Sequence, residues 1–197
     1  SRSHLRMLTP QLGQGELMSK KRLEIEGHIY YITTVIYDRL PILTAPSFVL
    51  PILDSLNFYK FKHKVKLLGY VIMPDHLHLL IWPYGDSSIS DFMRDMKKFT
   101  SFRLIRQAEV ENRQDLLNAF AQAGQETGRS ENKVWQDSFW DKIVYTEKFL
   151  RQKLNYIHRN PIRAGLVDDL DAYPYSSYRS YLHDDNTLIE IDKGWSY

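Results

Sequence analysis

Residues 64–82 read KVKLLGYVIM-PD-HLHLLIW, and this stretch decides the fold. Residues 64–73 are rich in apolar and β-branched side chains, which predicts a buried strand. Pro74-Asp75 favours a turn, because proline fixes φ and aspartate hydrogen-bonds its own backbone. Residues 76–82 predict a second strand, so we expect a β-hairpin.

The patterns on either side of this hairpin alternate between strands and helices. The predicted elements are a strand over 28–37, a helix within 46–60 starting near Pro51, an amphipathic helix over 88–106, a turn and short strand over 135–145, and a helix over 147–159. The last helix is expected to end near Asn160, because a residue that precedes proline disfavours the helical region. This order predicts an α+β domain with an antiparallel sheet covered by helices.

The length of 197 residues suits one domain with additions. We assign residues 23–181 to one folded domain. Residues 1–22 are expected to form a flexible N-terminal extension and residues 182–197 a C-terminal tail. Within the domain, residues 107–133 form a polar insertion with a helix around 115–123.

The overall composition excludes several classes of protein. The net charge of +2 is nearly neutral, so a nucleic-acid surface must be local. There are no cysteines, which excludes disulfide scaffolds and thiolate zinc sites. No apolar run approaches the ~20 residues that span a bilayer. We therefore expect a cytoplasmic protein with no membrane partner.

His76 and His78 are two apart on a predicted strand, so both imidazoles lie on one face. Leu77, Leu79 and Ile81 alternate with them and are expected to pack into the core. Two neighbouring imidazoles form half of a metal site. Imidazole alone suits zinc, whereas added oxygen ligands and a phosphate substrate favour magnesium or manganese. An H-x-H pair is also compatible with two ordinary histidines on a half-exposed strand.

Tyr156 lies on the last predicted helix, beside a core stripe formed by Leu150, Leu154 and Ile157. Tyr156 and Asn160 are neighbours one helical turn apart. An oxygen of Asn160 is thus a candidate third ligand for a metal held by the histidines. Since the chain has 13 tyrosines, most of them structural, the setting of Tyr156 distinguishes it.

Basic residues surround Tyr156 in the sequence. They are Lys148, Arg151, Lys153, Arg159 and Arg163, against the one acid Glu147. Such a cluster is commonly a solvated face, but beside a tyrosine and a metal it suits a phosphate backbone. A phenol with a pKa of ~10 is a poor nucleophile, and nearby cations with a metal-bound phosphate activate the reaction. The residues predict tyrosine attack on a phosphodiester with a 3′-hydroxyl as the leaving group.

Several strings of the sequence together resemble one family. They are GYVIMPDHLHLL at 69–80, Trp135-Gln136 with Asp141, NYIHRNPIRAGLV at 155–167, and YPYSSY at 173–178. The chain resembles the single-tyrosine HUH transposases, and among them the group of REP-associated tyrosine transposases, where REP denotes repetitive extragenic palindromes. The likeness runs from about residue 24 to residue 181. The polar insertion is longer than this resemblance leads us to expect.

The resemblance implies a ferredoxin-like or RRM-like sheet with the tyrosine helix lying across it. It also implies an enzyme that cuts single-stranded DNA beside an imperfect hairpin, using Mg²⁺ or Mn²⁺ and a 5′-phosphotyrosine intermediate. Carried over, His76 and His78 match the metal ligands and Tyr156 matches the nucleophile. Asn160 matches a third ligand, and His158 competes for that role.

The expected partner is single-stranded DNA with a hairpin, bound by a monomer or a homodimer. The helix over 88–106 and the lysines at 60, 62, 64 and 66 are candidates for contact with the hairpin backbone. The predicted DNA-binding residues are Lys97, Lys98, Arg151, Lys153, Arg159 and Arg163. Such contacts position DNA and carry little sequence information.

Two other functions are compatible with these residues. The first is a hairpin-binding protein without catalysis, which would bind DNA but form no tyrosine adduct. The second is a zinc-dependent hydrolase built on His76 and His78. It ranks last, because the sequence lacks a third strong ligand in a familiar zinc motif.

Overall fold

The structure is a computed structural model that describes residues 24, 27–128 and 130–195. The expected N-terminal extension over 1–22 lies outside the described residues. The elements are β1 (Ile29–Val35), α1 (Pro46–Lys62), β2 (Val65–Met73), β3 (His76–Pro83), α2 (Ile89–Val110), α3 (Gln114–Thr127), β4 (Trp140–Val144), α4 (Glu147–Arg163) and α5 (Tyr178–His183). None of the helices in this part of the chain is both long and apolar enough to span a bilayer.

The predicted hairpin is present. β2 and β3 pair antiparallel, and Met73 opposite His76 closes the turn at Pro74-Asp75. The turn is held from outside by two backbone hydrogen bonds: Ile36 N donates to the Asp75 carbonyl at 2.8 Å and Leu43 N to the Pro74 carbonyl at 2.9 Å. The histidine that begins β3 is therefore fixed at both the strand and the turn.

Within the described residues, the sheet has four strands in the order β2-β3-β1-β4. All neighbouring strands are antiparallel. With α1 between β1 and β2, and α2 between β3 and β4, the connection is that of a ferredoxin-like fold. The predicted α+β class is confirmed, and β3 is a central strand.

Helices cover both faces of the sheet. On one face, Leu77, Leu79 and Ile81 are fully buried in a cluster with side chains of α1 and α2. On the other face, Leu80 packs in a second cluster with Leu150 and Ile157 of α4. Burial on both faces explains why residues of β2 are apolar in an almost continuous run.

α4 approaches the sheet closely at Gly69. A Cβ atom built at this position would lie 2.7 Å from Leu154 Cδ1, which is closer than side-chain carbons pack. Gly69 thus leaves room for the Leu154 side chain against β2, two residues before Tyr156. The helix that carries the tyrosine is positioned by this contact and by the buried side chains Leu150 and Ile157.

Two predicted helix bounds are wrong, and proline is the cause in both. α1 begins at Pro46, not near Pro51, which lies buried inside the helix. α4 continues through Pro161 to Arg163 instead of ending near Asn160, and Ala164 N donates to the Asn160 carbonyl at 2.9 Å. Both prolines are buried, and packing of the rings outweighs the cost of about 3 kcal/mol that a proline imposes inside a helix.

Residues 107–133 are largely helical. The helix expected around 115–123 is α3, and it buries Leu116 and Phe120. Lys133 N donates to the Phe120 carbonyl at 2.9 Å, which returns the chain to the core. The extra segment therefore packs on the side of the sheet covered by α1 and α2.

The chain after α4 packs along the outer edge of β2. Ile72 N donates to the Tyr175 carbonyl, and Ser177 N donates to the Tyr70 carbonyl, both at 2.9 Å. The sequence predicts a C-terminal tail over residues 182–197. In the described part of this stretch, Ile189 and Ile191 belong to the hydrophobic core.

Candidate active site

His76 and His78 lie side by side on the face of the sheet that α4 covers. Their ring centroids are 4.8 Å apart and their planes are nearly perpendicular. His78 is buried, with 6% of its surface exposed, whereas His76 is partly exposed. The structure thus brings the two predicted metal ligands together at the point where the strand emerges from the turn.

The inner nitrogen of His78 is held by β1. Nδ1 lies 2.8 Å from the Tyr31 hydroxyl and 2.8 Å from Thr33 Oγ1. The Tyr31 ring also stacks on the imidazole, with centroids 5.4 Å apart. These contacts fix the ring and leave Nε2 as the nitrogen available to a cation, an arrangement typical of metal-binding histidines.

His76 is oriented by the turn itself. Its Nδ1 donates to Asp75 Oδ1 at 2.5 Å, and Arg39 donates to Asp75 Oδ2 at 3.1 Å. Partial burial acts to raise the pKa of Asp75, but hydrogen bonds from His76 and Arg39 outweigh it and lower the pKa. An ionised carboxylate on Nδ1 again leaves Nε2 for a cation.

The electrostatic environment keeps His78 neutral. Burial, assisted by the nearby charges of His76 and Lys153, lowers the pKa of His78 to about 3. Neutral imidazole is the form that binds a metal. His78 is therefore ready to act as a ligand at physiological pH without losing a proton.

Tyr156 projects from α4 toward the histidine pair. Its ring centroid lies 5.6 Å from that of His78 and 6.2 Å from that of Tyr31. The side chain is half-buried and packs against the cluster beneath α4. The predicted nucleophile and the predicted metal ligands thus share one site.

Cations flank the Tyr156 ring. Arg163 Cζ lies 5.1 Å from the ring centroid and Lys153 Nζ lies 5.6 Å from it. Lys153 Nζ also lies 4.4 Å from the Tyr31 centroid. Burial, with the nearby charge of Lys142, lowers the pKa of Lys153. The surroundings of the tyrosine are electropositive and partly shielded from water.

The structure separates the two candidates for a third ligand. Asn160 is one turn after Tyr156, and its Nδ2 donates to the Tyr156 carbonyl at 3.0 Å, which leaves Oδ1 for a cation. His158 is buried on another side of α4, where Nε2 lies 2.9 Å from Ser177 Oγ and the ring contacts those of Tyr178 and Tyr181. The ring of His158 thus contacts the chain that follows α4.

Burial of His158 makes the free energy of unfolding depend on pH. Burial lowers its pKa from 6.5 to about 4, so below pH 6.5 the unfolded chain takes up a proton that the folded chain does not. The stabilisation that the neutral, buried His158 side chain contributes is complete above pH 6.5 and is lost as the pH falls toward 4. Between pH 7 and pH 5 we expect His158 to cost about 2 kcal/mol of unfolding free energy.

Urea unfolding of wild type and His158→Gln at both pH values measures this cost. The variant should lose less stability on acidification, whereas His183→Gln, which changes an exposed histidine, should match wild type. Equal losses in wild type and His158→Gln would show that His158 is not held neutral.

The other predicted DNA contacts fall into two groups. Arg151 and Arg159 are exposed on α4, where Arg151 pairs with Glu147. Lys97 and Lys98 lie on α2, which covers the opposite face of the sheet from Tyr156. Lys97 Nζ donates to backbone carbonyls of the loop before β4. These two lysines are not part of the surface around the tyrosine.

Four residues of the site were not predicted from the sequence. Tyr31 and Thr33 contact Nδ1 of His78, Asp75 accepts from Nδ1 of His76, and Arg39 donates to Asp75. The role of Asp75 could have been predicted from the sequence, because Asp75 directly precedes His76. Tyr31 and Thr33 alternate on one strand, but nothing local shows which histidine they meet.

The chain belongs to the IS200-like transposase family, whose model matches residues 25–160. Within that family, its relatives are REP-associated tyrosine transposases. One is a Haemophilus influenzae protein described as a candidate member of that group, 30% identical over 161 residues, covering 78% of this chain and 81% of that protein. The other is the REP-associated tyrosine transposase of Escherichia coli, 22% identical over 160 residues, covering 80% and 81%.

A solved structure shows the same fold. It is that of a REP-associated tyrosine transposase bound to a REP hairpin, with a TM-score of 0.61, 22% identity and coverage of 90% of both chains. The family model and the relatives confirm the family predicted from the M-P-D-H-L-H and Y-I-H-R-N-P strings. The protein is of the transposase type.

Proposed function

We propose that this chain is a metal-dependent endonuclease and strand transferase. It cuts single-stranded DNA beside a palindromic hairpin and forms a 5′-phosphotyrosine intermediate. The observation that carries the proposal is the approach of Tyr156 to His78, with ring centroids 5.6 Å apart, on one face of a transposase-family sheet. Neither of the two alternative functions, hairpin binding without catalysis or zinc-dependent hydrolysis, requires a tyrosine beside the histidine pair.

The residues present fit a divalent cation, Mg²⁺ or Mn²⁺. Both histidines have Nδ1 occupied by a protein oxygen and Nε2 left for a ligand bond. Among the described residues, no three His, Cys, Asp or Glu side chains are grouped to hold a metal. Further ligands would be oxygens, from Asn160 Oδ1 and the DNA phosphate, which suits these hard cations. When bound, the cation makes the scissile phosphorus more electrophilic.

Tyr156 supplies the nucleophile. Its phenol oxygen forms a bond to phosphorus as the bond from phosphorus to the 3′ oxygen breaks. The phenol gives up its proton, and the 3′ oxygen leaves as a hydroxyl after taking one up. Lys153 and Arg163, which flank the ring, stabilise the negative charge that develops. Attack of a 3′-hydroxyl on the phosphotyrosine reverses the step and joins a strand.

Tyr31 is the nearest rival for this role, and its surroundings argue against it. Burial raises the pKa of Tyr31 well above its usual range, which disfavours the phenolate. Its hydroxyl is also committed to His78 Nδ1. Tyr31 therefore orients a metal ligand, whereas Tyr156 reacts.

The partner follows from the surface around the tyrosine. Arg159 and Arg163 are exposed near the end of α4 and suit phosphate contacts. The solved relative of the same fold is bound to a REP hairpin, and we propose a hairpin of that kind here. Binding as a monomer or as a homodimer is compatible with this surface.

The proposal is tested with labelled single-stranded hairpin DNA that carries unpaired flanks, taken from palindromes beside the gene. We expect a protein–DNA species that survives denaturation with Mn²⁺ or Mg²⁺ and is absent with EDTA. Tight hairpin binding with no such species under any metal would support the catalytically silent alternative. Cleavage that requires zinc and leaves no adduct would support the hydrolase.

The turn carboxylate gives a separate prediction about the metal. Asp75→Ala removes the acceptor that orients His76, and loss of such a partner typically weakens metal binding by about 10- to 100-fold. Mn²⁺ affinity measured by calorimetry checks this. Asp86→Ala, which changes an exposed aspartate after β3, is the matched control. An unchanged affinity in Asp75→Ala would show that His76 needs no such support.

A further inference from the structure

We infer that Trp140 of β4, with Lys142 and Lys153 beside it, forms a subsite for one unpaired nucleotide next to the cleaved phosphate. The indole takes the base by stacking, and the two ammonium groups take its phosphate. The inference rests on the proposed function, since it names how the same site holds its DNA.

Strand pairing places Trp140 on the reactive face. β4 is the outer strand next to β1, with Trp140 opposite Thr33 and Lys142 opposite Tyr31. Alternate residues of a strand share a face, and Val144, two residues beyond Lys142, is buried in the cluster beneath α4. Trp140 and Lys142 therefore face the same side as Tyr156.

Trp140 is unusually open for its size. It remains 55% exposed, while the indole and the Tyr31 ring form a T-shaped pair with centroids 5.8 Å apart and planes at 77°. Tyr31 in turn meets the Tyr156 ring edge-on. A line of aromatic rings thus runs from the sheet edge to the nucleophile. Exposed aromatic side chains of this kind are the stacking platforms of proteins that bind single strands.

Two lysines beside one aromatic ring on this face offer a place for phosphate. Lys142 Nζ and Lys153 Nζ lie 5.2 and 5.4 Å from the centroid of the same ring, Phe149. Like charges brought together repel each other, and an anion between them removes the repulsion. A nucleotide carries both a phosphate and a base. Its phosphate can pair with the lysines while its base stacks on the indole.

The test measures DNA affinity in the Tyr156→Phe background, where cleavage does not interfere. A labelled hairpin with unpaired flanks is compared with versions that carry an abasic site at each flank position in turn. Because stacking of one base changes affinity by about 5- to 150-fold, Trp140→Ala should weaken binding of the intact hairpin within this range. Trp140→Phe should retain most of the affinity.

The abasic series gives the decisive comparison. Trp140→Ala should cause no further loss on the one substrate that lacks the stacked base, and the full loss on the others. Tyr145→Ala, at a residue just beyond β4 that is 61% exposed, should bind every substrate as the background protein does. Equal losses for Trp140→Ala on all substrates, or no loss at all, would overturn the subsite.

The same series separates this inference from the proposed function. Adduct formation by the otherwise unchanged protein on the intact hairpin tests the chemistry alone. An adduct with no Trp140 effect on binding leaves the chemistry and removes the subsite. A position-specific Trp140 effect without any adduct keeps the subsite and removes the tyrosine chemistry.

Discussion

Replacing Tyr156 by phenylalanine is expected to abolish the covalent protein–DNA adduct while hairpin binding remains. The substitution removes only the hydroxyl, so the ring contacts with His78, Tyr31 and the flanking cations persist. Loss of the attacking group in a well-studied hydrolase lowers kcat by roughly 10⁶-fold. Cleavage of end-labelled hairpin DNA, resolved on a denaturing gel, measures the effect.

Two further tyrosine variants make this result specific. Tyr145→Phe changes an exposed tyrosine outside the site and should cleave like wild type. Tyr31→Phe removes the hydroxyl that supports His78, so it should still form the adduct but require a higher Mn²⁺ concentration to do so. An adduct that persists in Tyr156→Phe and disappears in Tyr31→Phe would transfer the role of nucleophile to Tyr31.

Removing either histidine should eliminate metal-dependent cleavage. His76→Ala and His78→Ala each delete half of the imidazole pair, and loss of an outer partner alone typically costs about 10- to 100-fold in metal affinity. We therefore expect Mn²⁺ affinity to fall by more than about 100-fold in each variant. Calorimetric titration with Mn²⁺, followed by cleavage at increasing Mn²⁺, measures both consequences.

The controls use the other polar residues considered for the metal. His183→Ala alters an exposed histidine paired with Asp171 and should bind Mn²⁺ normally. Asn160→Ala should weaken binding less than either histidine variant, and His158→Gln should leave it unchanged. Normal Mn²⁺ affinity in both His76→Ala and His78→Ala would place the cation elsewhere.

The features predictable from the sequence are those set by local spacing. Strand alternation brings His76 and His78 to one face, and the helical repeat sets Tyr156 beside Asn160. Both patterns concern residues at most one turn apart, so no tertiary information is needed. The structure adds that the strand and the helix meet, with Tyr156 beside His78.

The supporting residues depend on long-range register. Tyr31 and Thr33 reach His78 because β1 pairs with β3 so that Thr33 lies opposite His78. Shifting this register by one residue would turn both side chains to the other face. The sequence shows the alternation within each strand but not the pairing between strands 45 residues apart.

The contact of Arg39 with Asp75 could not be predicted for a different reason. It follows Asp38, and both residues have a φ of 53°, in the left-handed region. Such a conformation is uncommon without glycine, so the sequence gives no sign of the turn that brings Arg39 to Asp75. The helix bounds at Pro51 and Pro161 were missed because burial outweighs the local preference of proline.

The most direct test of the proposed chemistry is to locate the DNA on the protein. Adduct formed with Mn²⁺ is digested with nuclease and trypsin, and the modified peptide is sequenced by mass spectrometry. We expect a nucleotide joined through its 5′-phosphate to Tyr156, in the peptide LNYIHR at 154–159. A nucleotide on the peptide 23–39, which contains Tyr31, or no modified peptide at all, would refute Tyr156 as the nucleophile.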